Sequence, residues 1–359
     1  MEALPEGYQE VFQAGARRSF FLSRDWFQNL AATTMSARDP VRVYGLETEA
    51  GAPVAALPMV CRPRERPLTS LARLESLANY YSCAFSPVLR EGEDSARVAD
   101  ALAGGLWRDR SAWDTLVLQP LDRGTPIYAE LVRALTEAGI VVQTYFCFGN
   151  WYLDVAGRSY QAYLEGLSSV LRKNIPYNTR RLEKSGRARI TLITGESGLD
   201  EALRDYDTVY NASWKVPEPH PGFIGGLART AARNGWLRLG LIYMDGAPAA
   251  AQLWIVHEGV ASIYKIAYDE QYAKLSIGTV LTAKLMQHVI DVDRVTIVDY
   301  LSGDDDYKRT WMSHRREFWG ILGFNPRSVG GVVQMARHVG GRFAKQLLHR
   351  LRWISSHRG

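Results

Sequence analysis

The chain has 359 residues, of which 47% are hydrophobic and 23% charged, a composition typical of a globular protein in water. Its length exceeds that of an ordinary domain, so we expect two domains or a doubled one. No apolar run approaches the roughly 18 residues of a membrane span, and three widely spaced cysteines imply no disulfide framework, which together favour a cytoplasmic location.

The first half contains a predicted β-hairpin at residues 41–60, VRVYGLETEAGAPVAALPMV. Its turn is marked by Gly-Ala-Pro, because Gly51 permits a positive φ and Pro53 stands at a strand start, where a missing N–H does least harm. Further elements predicted in this half are a strand at 115–121, a helix at 127–138 and a closing strand at 146–155.

The middle of the chain, residues 159–186, has a helical pattern that Pro176 interrupts and Gly186 ends, before a strand with the sequence ARITLIT. We place the domain boundary near Gly157. The predicted division is a degenerate N-terminal domain at 1–157, a C-terminal domain with the cofactor site at 158–325 and a tail at 326–359.

Residues 237–256, LRLGLIYMDGAPAAAQLWIV, repeat the hairpin pattern of residues 41–60, including Gly-Ala-Pro at the turn. Two such similar hairpins indicate a duplicated domain. The elements predicted after the second hairpin are a strand at 261–270, a helix at 279–290, a strand at 294–301, a short helix in YKRTWM and a strand at 318–324.

The turn before the helix at 279–290 has the features of a phosphate site. It consists of Lys274, Leu275, Ser276, Ile277, Gly278 and Thr279. The free N–H groups and the dipole of a helix N-terminus favour an anion, a glycine lets the backbone approach it, and lysine and hydroxyl groups add charge and donors. An ordinary helix cap is the alternative interpretation.

The corresponding stretch of the first half, residues 85–98, has the opposite charge. Its one glycine, Gly92, is flanked by Glu91, Glu93 and Asp94, which would repel a phosphate. We therefore expect only the second half to bind a phosphate-bearing cofactor.

The second half resembles the GNAT superfamily of acyltransferases. The resemblance is carried by SSVLRKNIPYNTRRLEKSG (168–186), SWK (213–215), IYKIAYDEQYAKLSIGTVL (263–281) and VDYLSGDDDYKRTW (298–311). The whole chain is similar to the doubled, FemAB-like branch, and in particular to the CelD-type, cellulose-biosynthesis acetyltransferase-like group. The resemblance implies an α/β (α+β) fold of tandem GNAT-like domains, each a mixed, mostly antiparallel twisted sheet flanked by helices.

The resemblance also implies a reaction. Acyl-CoA, carrying an acetyl or longer chain, is the co-substrate without a metal, and its pantetheine arm lies along the strand Ser262–Tyr268, next to Ile266, Ala267 and Tyr268. A deprotonated amine attacks the thioester, and Tyr307 matches the tyrosine that protonates the leaving thiolate. A phenol with a pKa near 10 stays protonated at neutral pH. The alternative for Tyr307 is a ring packed in the core.

Further candidates follow from residue type and position. Asp299, at the end of an apolar strand, is a candidate to accept or orient the amine's proton, with a cap or an ion pair with Lys308 or Arg309 as the alternative. The substrate-binding candidates are Trp214, Lys215, His220, Gln252 and Lys265. The alternatives are a core position for Trp214, an exposed position for His220 and Lys265, and satisfaction of a backbone group for Gln252.

The tail predicts a basic amphipathic helix. No Asp or Glu follows Glu317, whereas seven basic residues follow Phe318. Its apolar stripe is formed by Val332, Met335, Val339, Phe343, Leu347, Leu351 and Ile354. Such a helix either binds an anionic membrane surface, making the protein peripheral to the inner face of the membrane, or docks on the enzyme itself; nucleic-acid binding is disfavoured.

The leading hypothesis is an acyl-CoA-dependent N-acyltransferase that acts on an amine, either an amino sugar of a polysaccharide or a sphingoid-type lipid amine as in bacterial ceramide synthesis. The first alternative is a FemAB-type transferase that depends on aminoacyl-tRNA, and the second a non-catalytic protein associated with the envelope or membrane. The histidines and cysteines show no metal-ligand spacing.

Overall fold

The structure is a computed structural model that describes residues 4–36, 38–64 and 70–338. The α-helices in this part of the chain are α1 (Tyr8–Arg18), α2 (Arg24–Thr34), α3 (Ser95–Arg108), α4 (Pro126–Glu137), α5 (Tyr160–Gly166), α6 (Ser169–Lys184), α7 (Leu199–Asn211), α8 (Pro221–Arg233), α9 (Ile277–Asp291) and α10 (Asp306–Trp311). The strands are β1 (Val41–Glu47), β2 (Pro53–Arg62), β3 (Arg73–Ser76), β4 (Val88–Leu89), β5 (Thr115–Asp122), β6 (Val141–Asp154), β7 (Ala188–Ile193), β8 (Leu237–Met244), β9 (Ala247–His257), β10 (Val260–Tyr268), β11 (Ile297–Ser302) and β12 (His314–Phe324).

The described residues divide into two compact units. Unit 1 comprises the described parts of Met1–Gly15, Met35–Cys147 and Phe318–Gly359, and unit 2 comprises Ala16–Thr34 and Phe148–Glu317. The division into compact units therefore falls inside β6 and inside β12. The domain boundary near Gly157 stays a prediction.

Five strands follow the same order in both units. In unit 1 the order is β1-β2-β3-β5-β12, and in unit 2 it is β8-β9-β10-β11-β6, with β7 added beside β8. Each unit contains a hairpin, a third antiparallel strand, a parallel neighbour and an antiparallel closing strand. The tandem arrangement of mixed sheets flanked by helices, predicted from the sequence, is thus confirmed.

The closing strand of each unit comes from the other half of the sequence. Strand β12, the last element of the second half, pairs with β5 in unit 1, and the end of β6 pairs with β11 in unit 2. The two halves of the sequence have exchanged their final strands, which is why the division runs through β6 and β12.

Both predicted hairpins are present as β1–β2 and β8–β9. The turn glycines Gly51 and Gly246 have φ values of +80° and +87°, in the left-handed region that favours glycine. The prediction for residues 159–186 was wrong in one respect. Pro176 lies inside α6, and the interruption comes earlier, where Ser168 caps α6 by accepting a hydrogen bond from the Leu171 N–H.

Helices cover both faces of the sheet of unit 2. A Cβ on Gly240 of β8 would lie 3.0 Å from a Leu281 methyl, so α9 lies directly over this face. Tyr243 points to the opposite face, where its hydroxyl donates to Asp205 of α7 at 2.5 Å. Alternate residues of β8 therefore contact different helices, as the period of two in a strand requires.

The tail is described only in part. Residues 329–338 are helical, and residues 339–359, which hold most of the predicted apolar stripe, lie outside the described residues. Val329 is 84% exposed, whereas a Cβ on Gly330 would lie 2.6 Å from the Asp114 side chain, so the first turn of the helix packs against the residue before β5. Within residues 4–36, 38–64 and 70–338, the helices are too short or too polar to cross a bilayer.

Candidate active site

The strands β10 and β11 of unit 2 diverge and form a wedge. Their register runs from the Val260–Ile297 pair to the Ser262–Asp299 pair. Beyond it, β10 stays paired with β9 as far as Tyr268, whereas β11 pairs with β6 as far as Ser302. The edge of β10 beyond Ser262 therefore faces the wedge, where an extended ligand can bond to its main chain.

A buried polar network lies where the two strands part. Asp299 is 3% exposed, and its Oδ1 accepts hydrogen bonds from the Asn150 side chain at 2.6 Å and from the Leu301 N–H at 2.7 Å. Its Oδ2 accepts from Arg316, whose Nε also donates to the Asn150 side chain at 2.6 Å. Leu301 has a φ of +57°, and the β11–β6 register shifts there. Asp299 therefore fixes the bend of β11.

The N-terminus of α9 lies beside the end of β10. Ser276, the N-cap, has a φ of +54° and makes no side-chain capping bond. The first N–H groups of the helix have no partner within the helix. A Cβ on Gly278 would lie 3.0 Å from the Tyr268 ring, so this glycine brings the first turn against the final residue of β10.

The other predicted residues of this turn have different exposures. Lys274, in the 3-10 turn at Glu270–Leu275, is exposed, and Thr279 is half-buried. Leu275 packs on the core and Ile277 is fully buried. On β10, Ala267 is buried and Ile266 half-buried. The cationic and hydroxyl groups of the loop are thus accessible, while its apolar residues anchor it.

Tyr307 is the second residue of α10 and is 44% exposed. Its ring meets the Tyr300 ring edge-on at 5.6 Å. Partial burial, with a smaller contribution from the Asp305 charge, raises the pKa of Tyr307 to about 12. The next residue, Lys308, is buried and donates to the Ser302 carbonyl. Tyr307 is thus a protonated phenol that begins the helix after β11.

Asp299 does not use either of the partners that the sequence offered for an ion pair. The carboxylate pairs with Arg316, whereas Lys308 lies 3.5 Å from the Asp305 carboxylate. Arg309 is the neighbour of Lys308 on the short helix α10. Arg316 lies on β12, and the distance of 17 residues along the chain explains why a local pattern could not find it.

The segment between α7 and α8 brings several polar side chains to the end of β10. The Trp214 ring lies 4.7 Å from the Tyr268 ring, and the Lys215 ammonium lies 5.3 Å from the Trp214 ring centre. Lys265 of β10 forms an ion pair with Glu218 at 2.7 Å. Burial, together with the nearby Lys265 charge, lowers the pKa of Lys215.

Gln252 lies in the core. Its Nε2 donates to the Gly278 carbonyl at 3.1 Å and to the Thr282 hydroxyl at 2.8 Å, and its Oε1 accepts from the Trp254 indole at 3.0 Å. These bonds use both N–H groups and the oxygen of its amide. Gln252 therefore supports the first turn of α9, as the sequence alternative of backbone satisfaction states.

His220 is the N-cap residue of α8, directly before Pro221. It stands two positions after Glu218 in the same segment, and its side chain makes no capping bond to α8. His220 thus lies at the end of the Pro-rich loop, directly before α8, and its role in binding the acceptor stays a prediction.

Sequence reasoning missed four residues of this region: Asn150, Glu218, Tyr300 and Arg316. Asn150 and Arg316 lie on the exchanged strands, so their proximity to Asp299 depends on long-range pairing. Glu218 is flanked by prolines, which signalled only a loop. Tyr300 had a local signal, since it is an aromatic residue within the mostly apolar strand β11.

Residues 169–309 match the family model described as an acetyltransferase (GNAT) domain. The match spans less than half of the chain; it indicates a GNAT-type acetyltransferase domain in this part and supports an enzyme of the N-acyltransferase class. No curated protein matches the sequence significantly.

Solved structures with the same fold cover almost the whole chain. FemX is 8% identical, with 89% of this chain and 96% of that chain aligned at a TM-score of 0.61. The C-terminal domain of a putative lysylphosphatidylglycerol synthetase from Agrobacterium fabrum is 12% identical, with coverages of 93% and 97% and a TM-score of 0.54. L-PGS from Bacillus licheniformis is 12% identical, with coverages of 95% and 98% and a TM-score of 0.52.

Proposed function

We propose that the protein transfers an acyl group from coenzyme A to an amine, and that the wedge in unit 2 is its active site. The observation that carries the proposal is the divergence of β10 from β11 beside an uncapped helix N-terminus. An edge for an extended arm and a site for a pyrophosphate are thus adjacent, which suits a CoA thioester.

In this proposal the donor lies along β10. Main-chain groups of Ile266, Ala267 and Tyr268 bond the pantetheine arm, and the turn from Lys274 to Thr279 binds the pyrophosphate. The N–H groups at the start of α9 and the exposed Lys274 supply positive charge to the pyrophosphate. The N–H and hydroxyl donors of this turn, together with the Lys274 ammonium, fit a pyrophosphate.

The acceptor amine, once deprotonated, attacks the thioester carbonyl, forming the C–N bond as the C–S bond breaks. Tyr307 donates its proton to the departing sulfur and regains one from solvent, while the nitrogen, after forming the new bond, releases one proton to solvent. A pKa of about 12 keeps Tyr307 protonated at neutral pH, so the acid is always in its active form. Asp299 acts through Arg316 and Leu301 by holding the bend of β11.

Trp214, Lys215 and Lys265 form the proposed acceptor side, because they gather at the end of β10. The acceptor that we propose is an amino sugar or a sphingoid-type amine. The CelD-type branch, a cytoplasmic location and binding of the tail 326–359 to an anionic membrane surface remain proposals. Flotation with anionic vesicles, with and without residues 326–359, tests the last of these.

Calorimetry with CoA and with acyl-CoAs of increasing length tests the donor. Release of free thiol in the presence of glucosamine or sphinganine then tests the transfer. We expect CoA binding in the micromolar range, about −8 kcal/mol. Absence of CoA binding together with salt-sensitive tRNA binding would overturn the proposal in favour of aminoacyl transfer.

A further inference from the structure

Glu218 has a buried carboxylate oxygen to which no described residue donates a hydrogen bond. Its Oε1 accepts a hydrogen bond from the Lys265 ammonium at 2.7 Å. Its Oε2 is shielded from solvent and has no hydrogen-bond partner among the described residues. Buried carboxylate oxygens are nearly always bonded, since an unpaired one loses its hydration without compensation. The free oxygen therefore indicates a donor supplied by a ligand.

The position of Lys265 places this oxygen beside the wedge. Lys265 stands on β10 beyond the Ser262–Asp299 pair, where the strand has parted from β11. The Lys265 ammonium also lies 5.9 Å from the Tyr210 ring centre, so its side chain extends toward α7. Glu218 is thus held by the strand that we propose as the donor's binding edge.

Lys215 connects this pair with the other side of the wedge. Its charge interacts with Lys265 and Glu218, and also with Lys308 and Asp305 near α10. Lys215 and Glu218 belong to the same segment between α7 and α8, which lies against the end of β10 through the contact of the Trp214 and Tyr268 rings at 4.7 Å. This contact and the Lys265 ion pair place Glu218 on the proposed acceptor side.

A carboxylate oxygen only accepts hydrogen bonds, so its ligand must carry an N–H or O–H group. A protonated amine is the better match, because a bond between two charged groups is stronger than one to a neutral hydroxyl. The Glu218–Lys265 pair is neutral as a whole, so Glu218 offsets the Lys265 charge that would otherwise repel an ammonium.

We propose that Oε2 of Glu218 accepts a hydrogen bond from the amino group of the acceptor, so that the enzyme selects a primary amine over the corresponding alcohol. This inference rests on the proposed function for the identity of the reaction. It assigns Glu218 as a binding residue for a cationic acceptor.

The test compares Glu218→Gln with the matched control Asp207→Asn. Asp207 lies on α7 and its charge interacts with that of Glu218, so each variant removes one negative charge from the same region. The amide replaces the free oxygen. We expect the KM for the amine to rise about 10- to 100-fold in Glu218→Gln, while the KM for acyl-CoA and the activity of Asp207→Asn stay near wild type. Glu218→Asp, which keeps the charge but shortens the side chain, should show a smaller loss.

An unchanged amine KM in Glu218→Gln would overturn the inference while leaving the proposed function intact. An equal rise of both KM values would also overturn it, because that is the result of a purely structural role. Binding of n-butylamine, followed by NMR titration, gives a readout that does not depend on transfer. If wild type fails to turn over acyl-CoA, a weaker Kd in Glu218→Gln still supports the inference, and an equal Kd contradicts it.

Discussion

The two units share five strands in the same order, but α3 of unit 1 and α9 of unit 2, which come after the third of these strands, begin differently. At α3, Asp94 accepts a hydrogen bond from the Ala96 N–H at 2.9 Å, so a carboxylate of the protein already occupies this N-terminus. At α9, Ser276 makes no such bond. The N-terminus of α9 is thus open to an anion, whereas the N-terminus of α3 is occupied by the Asp94 carboxylate.

The parallel strand pairs, β3–β5 in unit 1 and β10–β11 in unit 2, also differ, because only the second pair opens into a wedge. In unit 1, the register of β3 and β5 ends at Glu75–Val117, but the Ser76 hydroxyl then bonds both the N–H and the carbonyl of Gln119, at 3.1 and 2.7 Å. This side chain holds the two strands together where β10 and β11 diverge. Equal strand order therefore does not imply an equal site.

The largest expected effect comes from giving α9 the aspartate N-cap that α3 has. Ser276→Asp places a carboxylate at the N-cap of α9, and aspartate tolerates the left-handed backbone there. We expect affinity for CoA, measured by calorimetry, to fall about 100-fold or more, because the carboxylate repels the pyrophosphate. Asp94→Ser is the reciprocal control and should leave CoA binding unchanged; a loss there would contradict the comparison.

Next in size is the effect of removing a phenol. Tyr307→Phe should lower kcat for thiol release about 100-fold with the Kd for CoA unchanged, because it removes an acid and keeps the ring. Tyr128, near the start of α4 after β5, stands in the corresponding place of unit 1 and is buried. Tyr128→Phe is therefore the matched control. Equal rates for both variants would rule out Tyr307 as the acid.

A smaller effect is expected on stability. Asp299→Asn leaves Arg316 facing a neutral amide in place of its carboxylate partner, so we expect the free energy of unfolding to fall by about 1–3 kcal/mol. Asp304→Asn, at the more exposed pair with Arg315, should cost about 1 kcal/mol or less. Denaturant titration of both variants checks the order, and the reverse order would show that the network at the wedge is not the stronger one.

The smallest effect concerns pH. The pKa of Lys215 is lowered in the folded protein, mainly by burial, so the unfolded chain binds more protons between the folded value and about 10.5. Stability therefore rises with pH in that window. Lys215→Met should raise Tm by at most about 2 °C at pH 7, with a smaller gain above pH 10.5. A gain that increases with pH would contradict the assigned shift.

Local patterns were sufficient for the elements that form the site. The hairpin turns at Gly51 and Gly246, and the helix from Ile277, follow from signals within a few residues. The acids next to Gly92 also showed in the sequence, and Asp94 caps α3 as its position allows. What could not be predicted depends on distant pairing, as in the bond between Asp299 and Arg316.

The exchange of the last strands has a consequence for how the chain is made. As synthesis proceeds from the N-terminus, β5 has an open edge until residues 318–324 of β12 emerge, near the end of the described chain. An unpaired strand edge is a template for association with other chains. A fragment cut at Gly157 would retain that open edge, so the two halves are expected to be obtainable as soluble proteins only when both are present in the same cell.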